Sequence, residues 1–172
     1  MWALIYKFSR RIDMSLRNIL KLIASIIICQ FAGFIGSLFT TPAIPTWYKT
    51  LSKPSFTPPN SIFSPVWITL FVLMGISLFL VWKRNLKDRN VKIALIFFAI
   101  QLVLNILWSL LFFGLKSPLL AFIEIIILWF AILLTILRFL KVSRPAGVLL
   151  LPYLLWVSFA AFLNFFLWNL NA

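Results

Sequence analysis

Residues 93–113 read IALIFFAIQLVLNILWSLLFF, a run without a single charged side chain. A lone strand of this composition in lipid leaves its backbone groups unpaired, whereas a helix closes its own hydrogen bonds. About 20 apolar residues carry a helix across a ~30 Å hydrocarbon layer, so the run is long enough to span a membrane. Its few polar groups are not scattered. Gln101, Asn105, Trp108 and Phe112 fall at i, i+4, i+7 and i+11, a stripe about 60° wide on a helix. Amides that face lipid are costly, so the stripe turns toward a bundle interior or a wet cavity. Two readings stand side by side from these residues alone: amides that hold helices together, or one wall of a ligand site.

Four further apolar segments flank this one: Leu22–Phe39, Phe63–Trp82, Leu119–Leu137 and Ala146–Trp168. The fold class is therefore an all-α membrane protein, a bundle of five transmembrane helices. Composition agrees. The 172 residues are 63% hydrophobic and 11% charged, where a soluble domain carries roughly 25% charged residues. Residues 1–21 form a basic N-terminal segment and 22–172 the five-helix domain. Trp2–Phe8 is too short to span and is read as an interfacial stretch or a start-site extension. The first span is too long for a signal-peptide core and lacks a small-residue cleavage site, so it is expected to stay.

The net charge of +13 is a topology signal, not a nucleic-acid footprint, because its basic groups sit in short clusters separated by spans. Lys7, Arg10, Arg11, Arg17 and Lys21 precede span 1. Lys83, Arg84, Lys87, Arg89 and Lys92 lie between spans 2 and 3, and Arg138, Lys141 and Arg144 between spans 4 and 5. Only Lys49, Lys53 and Lys116 fall on the opposite side. The basic side is expected to be cytoplasmic, with the N-terminus inside and the C-terminus outside. With no histidine and the single Cys29, composition excludes an imidazole metal site, imidazole ligation of haem, a Ser-His-Asp triad and an intrachain disulfide. No metal ligand set and no catalytic residue is assigned.

Other faces repeat the aromatic-plus-polar pattern. On span 5, Tyr153, Trp156, Ala160 and Asn164 share one side: rings for walls, a small residue for room and an amide for orientation, the mixture found in pockets between helices. Pro152 is expected to break or kink that helix. Trp67, Phe71, Met74 and Leu78 make a stripe on span 2, and Gly33, Gly36 and Ser37 permit close backbone approach on span 1. Trp47, Tyr48 and Trp82 stand near span ends, where rings anchor at the interface. Between Thr40 and Ile62, five prolines imply a stiff, extended connection, read as a lid over a cavity or as a plain connector. Glu124 is the only acid inside a span, either a functional group or a protonated carboxyl hydrogen-bonded to a neighbouring helix.

These residues also carry a resemblance. The run Trp47-Tyr48-x-x-Leu51-x-Lys53-Pro54-Ser55-x-x-Pro58-Pro59 is followed by Pro65-Val66-Trp67-x-x-Leu70-x-x-x-Met74-Gly75 and Leu80-Val81-Trp82-Lys83. Gln101-Leu102-x-x-Asn105-x-x-Trp108, Phe112-Phe113-Gly114 and Pro152-Tyr153-x-x-Trp156-x-x-Phe159-Ala160-x-x-Leu163-Asn164 complete the set. Together they resemble the TspO/translocator family of tryptophan-rich membrane proteins, the peripheral benzodiazepine receptors. The resemblance implies a five-helix bundle, often a homodimer, with a pocket opening toward the loop between spans 1 and 2. It implies ligands rather than required cofactors: protoporphyrin IX, haem-like tetrapyrroles, or sterol-like molecules. The implied function is a receptor, sensor or trafficking protein, with a porphyrin-degrading enzyme using Trp67 and Trp156, or a stress-response scaffold, as alternatives; the one-sided charge favours a prokaryotic cytoplasmic membrane over an organelle. The implied ligand-binding set is Trp67, Phe71, Asn105, Trp108, Trp156, Ala160, Leu163 and Pro54. Trp47, Tyr48, Pro58 and Pro59 belong to the lid, and Glu124 matches an acidic position of the fourth helix. Phe71 stands where many relatives have tyrosine and Phe56 where tryptophan is frequent. No basic residue follows Arg144, so the sterol-recognition pattern after span 5 is missing. It matches formally only at Leu4-Tyr6-Arg10.

Overall fold

A computed structural model describes residues 2–172, with side chains from residue 16 onward. The side chains of Trp2–Phe8, and with them the Leu4-Tyr6-Arg10 match, lie outside the described residues. Every regular element among the described residues is helical: α1 (Trp2–Ala43), α2 (Trp47–Thr50), α3 (Asn60–Trp82), α4 (Arg89–Ser109), a π-helical turn (Leu110–Gly114), α5 (Pro118–Val142), α6 (Arg144–Leu149) and α7 (Leu151–Leu170). Five stretches are long and apolar enough to cross a membrane: Leu16–Ala43, Asn60–Trp82, Arg89–Gly114, Pro118–Val142 and Arg144–Leu170. The chain is an integral multi-pass membrane protein.

The helices outrun the apolar segments at most ends, because polar residues that stop a hydropathy run also cap helices. Asp88 accepts from the Asn90 N–H at 2.8 Å and starts α4. Ser117 accepts from Leu120 N–H and, with Pro118 at the first turn, starts α5. Proline at that position gives up a donor that has no intrahelical partner anyway.

The proline-rich connection is not wholly extended as expected. α1 continues through Pro42 to Ala43, and Trp47–Thr50 forms a turn of helix. Thr46 Oγ1 donates to Pro42 O at 2.8 Å and satisfies a carbonyl at the end of α1. Only residues 51–59 run without helix. At Pro152 the fifth span does break, into α6 and α7 about Leu150.

Toward the basic end of the bundle the helices meet closely. Gly75 lets α3 meet α1 so closely that an added Cβ would stand 2.6 Å from Ile26 Cα. Phe98 of α4 stacks on Phe139 of α5 at 5.6 Å. Ser77 Oγ ties α3 to α6 through Ala146 O at 2.7 Å, and Trp129 Nε1 ties α5 to α7 through Ser158 Oγ at 2.8 Å. The outward surface is as apolar as the core: Leu155 is 71% exposed, Val103 64% and Ile27 60%. Such a surface is at home in a lipid bilayer.

Candidate ligand-binding site

Away from the basic end, α1, α3, α4 and α7 diverge around a cavity of about 380 Å³, within the range of small-molecule sites, about 300–1,000 Å³. Its aromatic walls are held by polar contacts between helices. Asn105 Nδ2 donates to Tyr153 Oη at 2.9 Å, joining α4 to α7 at the floor. One turn higher, Trp108 Nε1 donates to Asn164 Oδ1 at 3.1 Å, and Asn164 Nδ2 donates to Pro118 O at 2.8 Å. Asn164 thus fixes the Trp108 ring with one end of its amide and the start of α5 with the other.

The π-helical turn adds to this wall. Leu115 N–H bonds Leu110 O at 2.8 Å, a wide turn of the kind that often sits at functional sites. It sets Phe112 nearly parallel to Trp108 at 5.2 Å and Phe113 edge-on to Phe112 at 4.8 Å. Opposite, Trp67 packs on Phe71 at 5.6 Å and on Tyr153 at 6.3 Å. Gly33 makes room for Phe71, whose ring an added Cβ would meet at 2.5 Å. On α7, Trp156 meets Phe63 at 5.9 Å, and Ala160 leaves space beside it.

The cavity is roofed by Ile44 and the buried Tyr48. Burial pushes the Tyr48 phenol above its ordinary pKa, and Lys53 Nζ lies 4.6 Å over its ring. The loop beyond is fastened to α7. Ser52 N–H donates to Asn171 Oδ1 and Asn171 Nδ2 donates to Ser52 O, both at 2.9 Å. Phe56 packs on Phe162 at 5.3 Å and Phe166 at 5.4 Å.

Of the residues named from sequence, Trp67, Phe71, Asn105, Trp108, Trp156, Ala160 and Leu163 line one cavity, and Tyr48 lines its roof. Pro54, Pro58, Pro59 and Trp47 do not line it. Trp47 instead packs edge-on to Phe112 at 5.5 Å, supporting the wall from behind, and Pro54 accepts from the Thr57 N–H and hydroxyl in a loop turn. Gln101 is buried one turn below Asn105, with neither amide atom hydrogen-bonded. Glu124 is buried on α5, which lends no residue to the cavity, and neither of its oxygens has a hydrogen-bond partner. The interhelical bond read for it is not made. The sequence reading left α1 out of the ligand set, although Gln30, Gly33, Phe34, Gly36, Ser37 and Thr40 all line the cavity. Its signal was present in the small residues Gly33, Gly36 and Ser37.

The sequence profile of the TspO/MBR family matches residues 1–169. The chain belongs to this family. It is 47% identical over 155 residues to the tryptophan-rich protein TspO of Chlorobaculum tepidum, covering 90% of this chain and 98% of that one. It is 48% identical over 156 residues to the TspO of Archaeoglobus fulgidus, covering 90% and 99%. A sheep protein named translocator protein is 36% identical over 140 residues, covering 81% and 83%. The TspO/MBR assignment thus extends over the whole cavity-forming bundle.

Proposed function

We propose that this member of the TspO/MBR family is a membrane receptor or sensor that takes flat hydrophobic ligands, tetrapyrroles such as protoporphyrin IX or haem-like rings foremost, into the cavity between α1, α3, α4 and α7. One observation carries the reading: Trp67, Trp108, Phe112 and Trp156 turn toward a common space instead of toward lipid, with Asn105 and Ala160 among them. Ring walls offer stacking surface, worth about 0.5–1.5 kcal/mol per well-placed pair beyond burial. With no histidine in the chain, a haem-like ring is held by these faces and not by an imidazole. Bacterial and archaeal relatives and the one-sided basic clusters support a prokaryotic cytoplasmic membrane, with the cavity at the outer end.

Titration of detergent-purified protein with protoporphyrin IX tests the reading through tryptophan fluorescence. Saturable quenching is expected in the parent protein. Trp156→Ala removes a wall, and losing about 1 kcal/mol of stacking weakens binding roughly fivefold. Ala160→Phe fills the space beside Trp156 and is expected to weaken it further. Unchanged affinity in both variants refutes the assignment.

A further inference from the structure

The cavity has a roof and a floor, but its fourth side is incomplete. Phe34 on α1 and Ile68 on α3 both line it, yet each is 57% exposed, and Ser64 and Asn60, also lining, are exposed as well. All four lie within the membrane-crossing stretches Leu16–Ala43 and Asn60–Trp82. What they are exposed to along most of that length is lipid, not water.

The packing of α1 on α3 explains why the opening lies there. Below it the two helices are locked together at Gly75 against Ile26, while at the level of the opening Gly33 packs on the Phe71 ring. The helices run in opposite directions, so one turn above Gln30 on α1 faces one turn before Ile68 on α3. Gln30 Nε2 donates to Ile68 O at 3.1 Å, a half-buried amide bridging the two helices on the lipid-facing side of the cavity. Beyond that bridge stand Phe34 and Ser64, with no hydrogen bond between α1 and α3 above it among the described residues.

The roof is built the other way. It is fastened to α7 by the paired Ser52–Asn171 bonds, by a third bond from Asn171 Nδ2 to Leu167 O at 2.7 Å, and by Phe56 against Phe162 and Phe166. Tyr48, 5% exposed, is seated beneath. Lifting the roof breaks all of these contacts together. Widening the side breaks one amide bond, parts the Phe34 ring from Phe31 and eases Gly33 off the Phe71 ring, all without touching the roof.

We propose that ligands reach the cavity from the bilayer, through a slot between α1 and α3 gated by Gln30 and Phe34, while the roof stays latched to α7 through Ser52 and Asn171. This rests on the reading of the cavity as a ligand site and narrows its ligand class. The occupant is a flat amphiphile that partitions into the leaflet on the roof side. Its apolar body passes Phe34 and Ile68, and its polar edge stays level with Asn60 and Ser64 at the slot's upper lip. A water-soluble molecule has no comparable path.

Two cysteine pairs separate the routes, each introduced in a Cys29→Ala background and bridged with a short, reducible bifunctional thiol reagent in lipid nanodiscs. Phe34→Cys with Ser64→Cys clamps the slot; Ser52→Cys with Asn171→Cys clamps the roof. Each variant before bridging is its own control, and the readout is the time course of tryptophan quenching by protoporphyrin IX. The slot clamp is expected to slow association by about tenfold or more, reversed by reductant, while the roof clamp changes it by less than about twofold. A roof clamp that slows association as much as the slot clamp, or a slot clamp without effect, overturns the proposal. Loading the ligand before bridging keeps the two questions apart: a slot-clamped protein that retains preloaded porphyrin has an intact cavity with its access closed. Absence of saturable quenching in unbridged protein refutes the cavity reading itself, and this inference with it.

Discussion

Asn164→Leu tests the polar frame of the cavity most directly. Leucine matches asparagine in size and keeps the helix, but it loses the acceptor for Trp108 Nε1 and the donor to Pro118 O. Hydrogen bonds between helices in a bilayer are worth on average about 0.6 kcal/mol and at most about 1.7. Two lost bonds therefore predict a stability loss of about 1–2 kcal/mol. Part of that loss belongs to the Trp108 contact alone, and a double-mutant cycle isolates it. Trp108→Phe, Asn164→Leu and the double variant are to be compared by reversible unfolding in mixed detergent–SDS micelles. The coupling energy is expected near 0.6 kcal/mol, the value of one such bond. Strict additivity of the two substitutions means that Asn164 does not hold the ring, and the account of the wall fails. A freed indole N–H also turns toward the cavity, so the single Asn164→Leu variant is expected to alter ligand affinity without any change in the lining rings.

Gly75→Val places side-chain carbon against the backbone of Ile26, where even a Cβ stands 2.6 Å from Cα. Overpacking of this kind costs about 1–3 kcal/mol, to be read as a lowered thermal midpoint. At Gly36→Ala the nearest atom is the Ser109 hydroxyl at 3.0 Å, a side-chain end that has room to rotate, and the loss is expected to be smaller. Equal losses at the two glycines contradict the packing described. Because burial raises the Tyr48 phenol, its contribution to the roof is complete below about pH 10 and is lost as pH rises beyond that. Proteolytic cleavage within 51–59 is expected to quicken above about pH 10 in the parent but not in Tyr48→Phe; parallel profiles refute the role given to Tyr48.

Much of the bundle was legible because lipid imposes a simple rule: a spanning segment is apolar throughout, and its polar residues mark the inward face. Gln101, Asn105 and Trp108 followed that rule, as did Tyr153, Trp156 and Asn164. What resisted reading was long-range pairing of a side chain with a particular backbone group. Nothing periodic in the sequence links Asn171 to Ser52, 119 positions apart. Pro54 was placed in the ligand set by resemblance, yet its loop is drawn across toward α7 and away from the cavity lining. The stretch from Thr40 was expected to be extended, yet α1 runs on through Pro42 to Ala43, where the Thr46 hydroxyl satisfies the Pro42 carbonyl at the helix end. The π-helical turn left no compositional mark, since Leu110–Gly114 is as apolar as the helix it ends. Glu124 was placed inside a span by its position, but position along a helix does not name a partner, and neither of its oxygens has one.

The helix that completes the cavity follows the other four spans in the chain. Asn105 waits for Tyr153, and the Trp108 indole waits for Asn164. Before α7 packs against its neighbours, the other four spans enclose only an open trough, with two polar groups still unmatched. Docking of α7 closes the trough, supplies both partners and brings Asn171 to the Ser52 loop in one movement. The binding chamber therefore exists only once α7 has docked, and a bundle in which that helix fails to dock lacks its site.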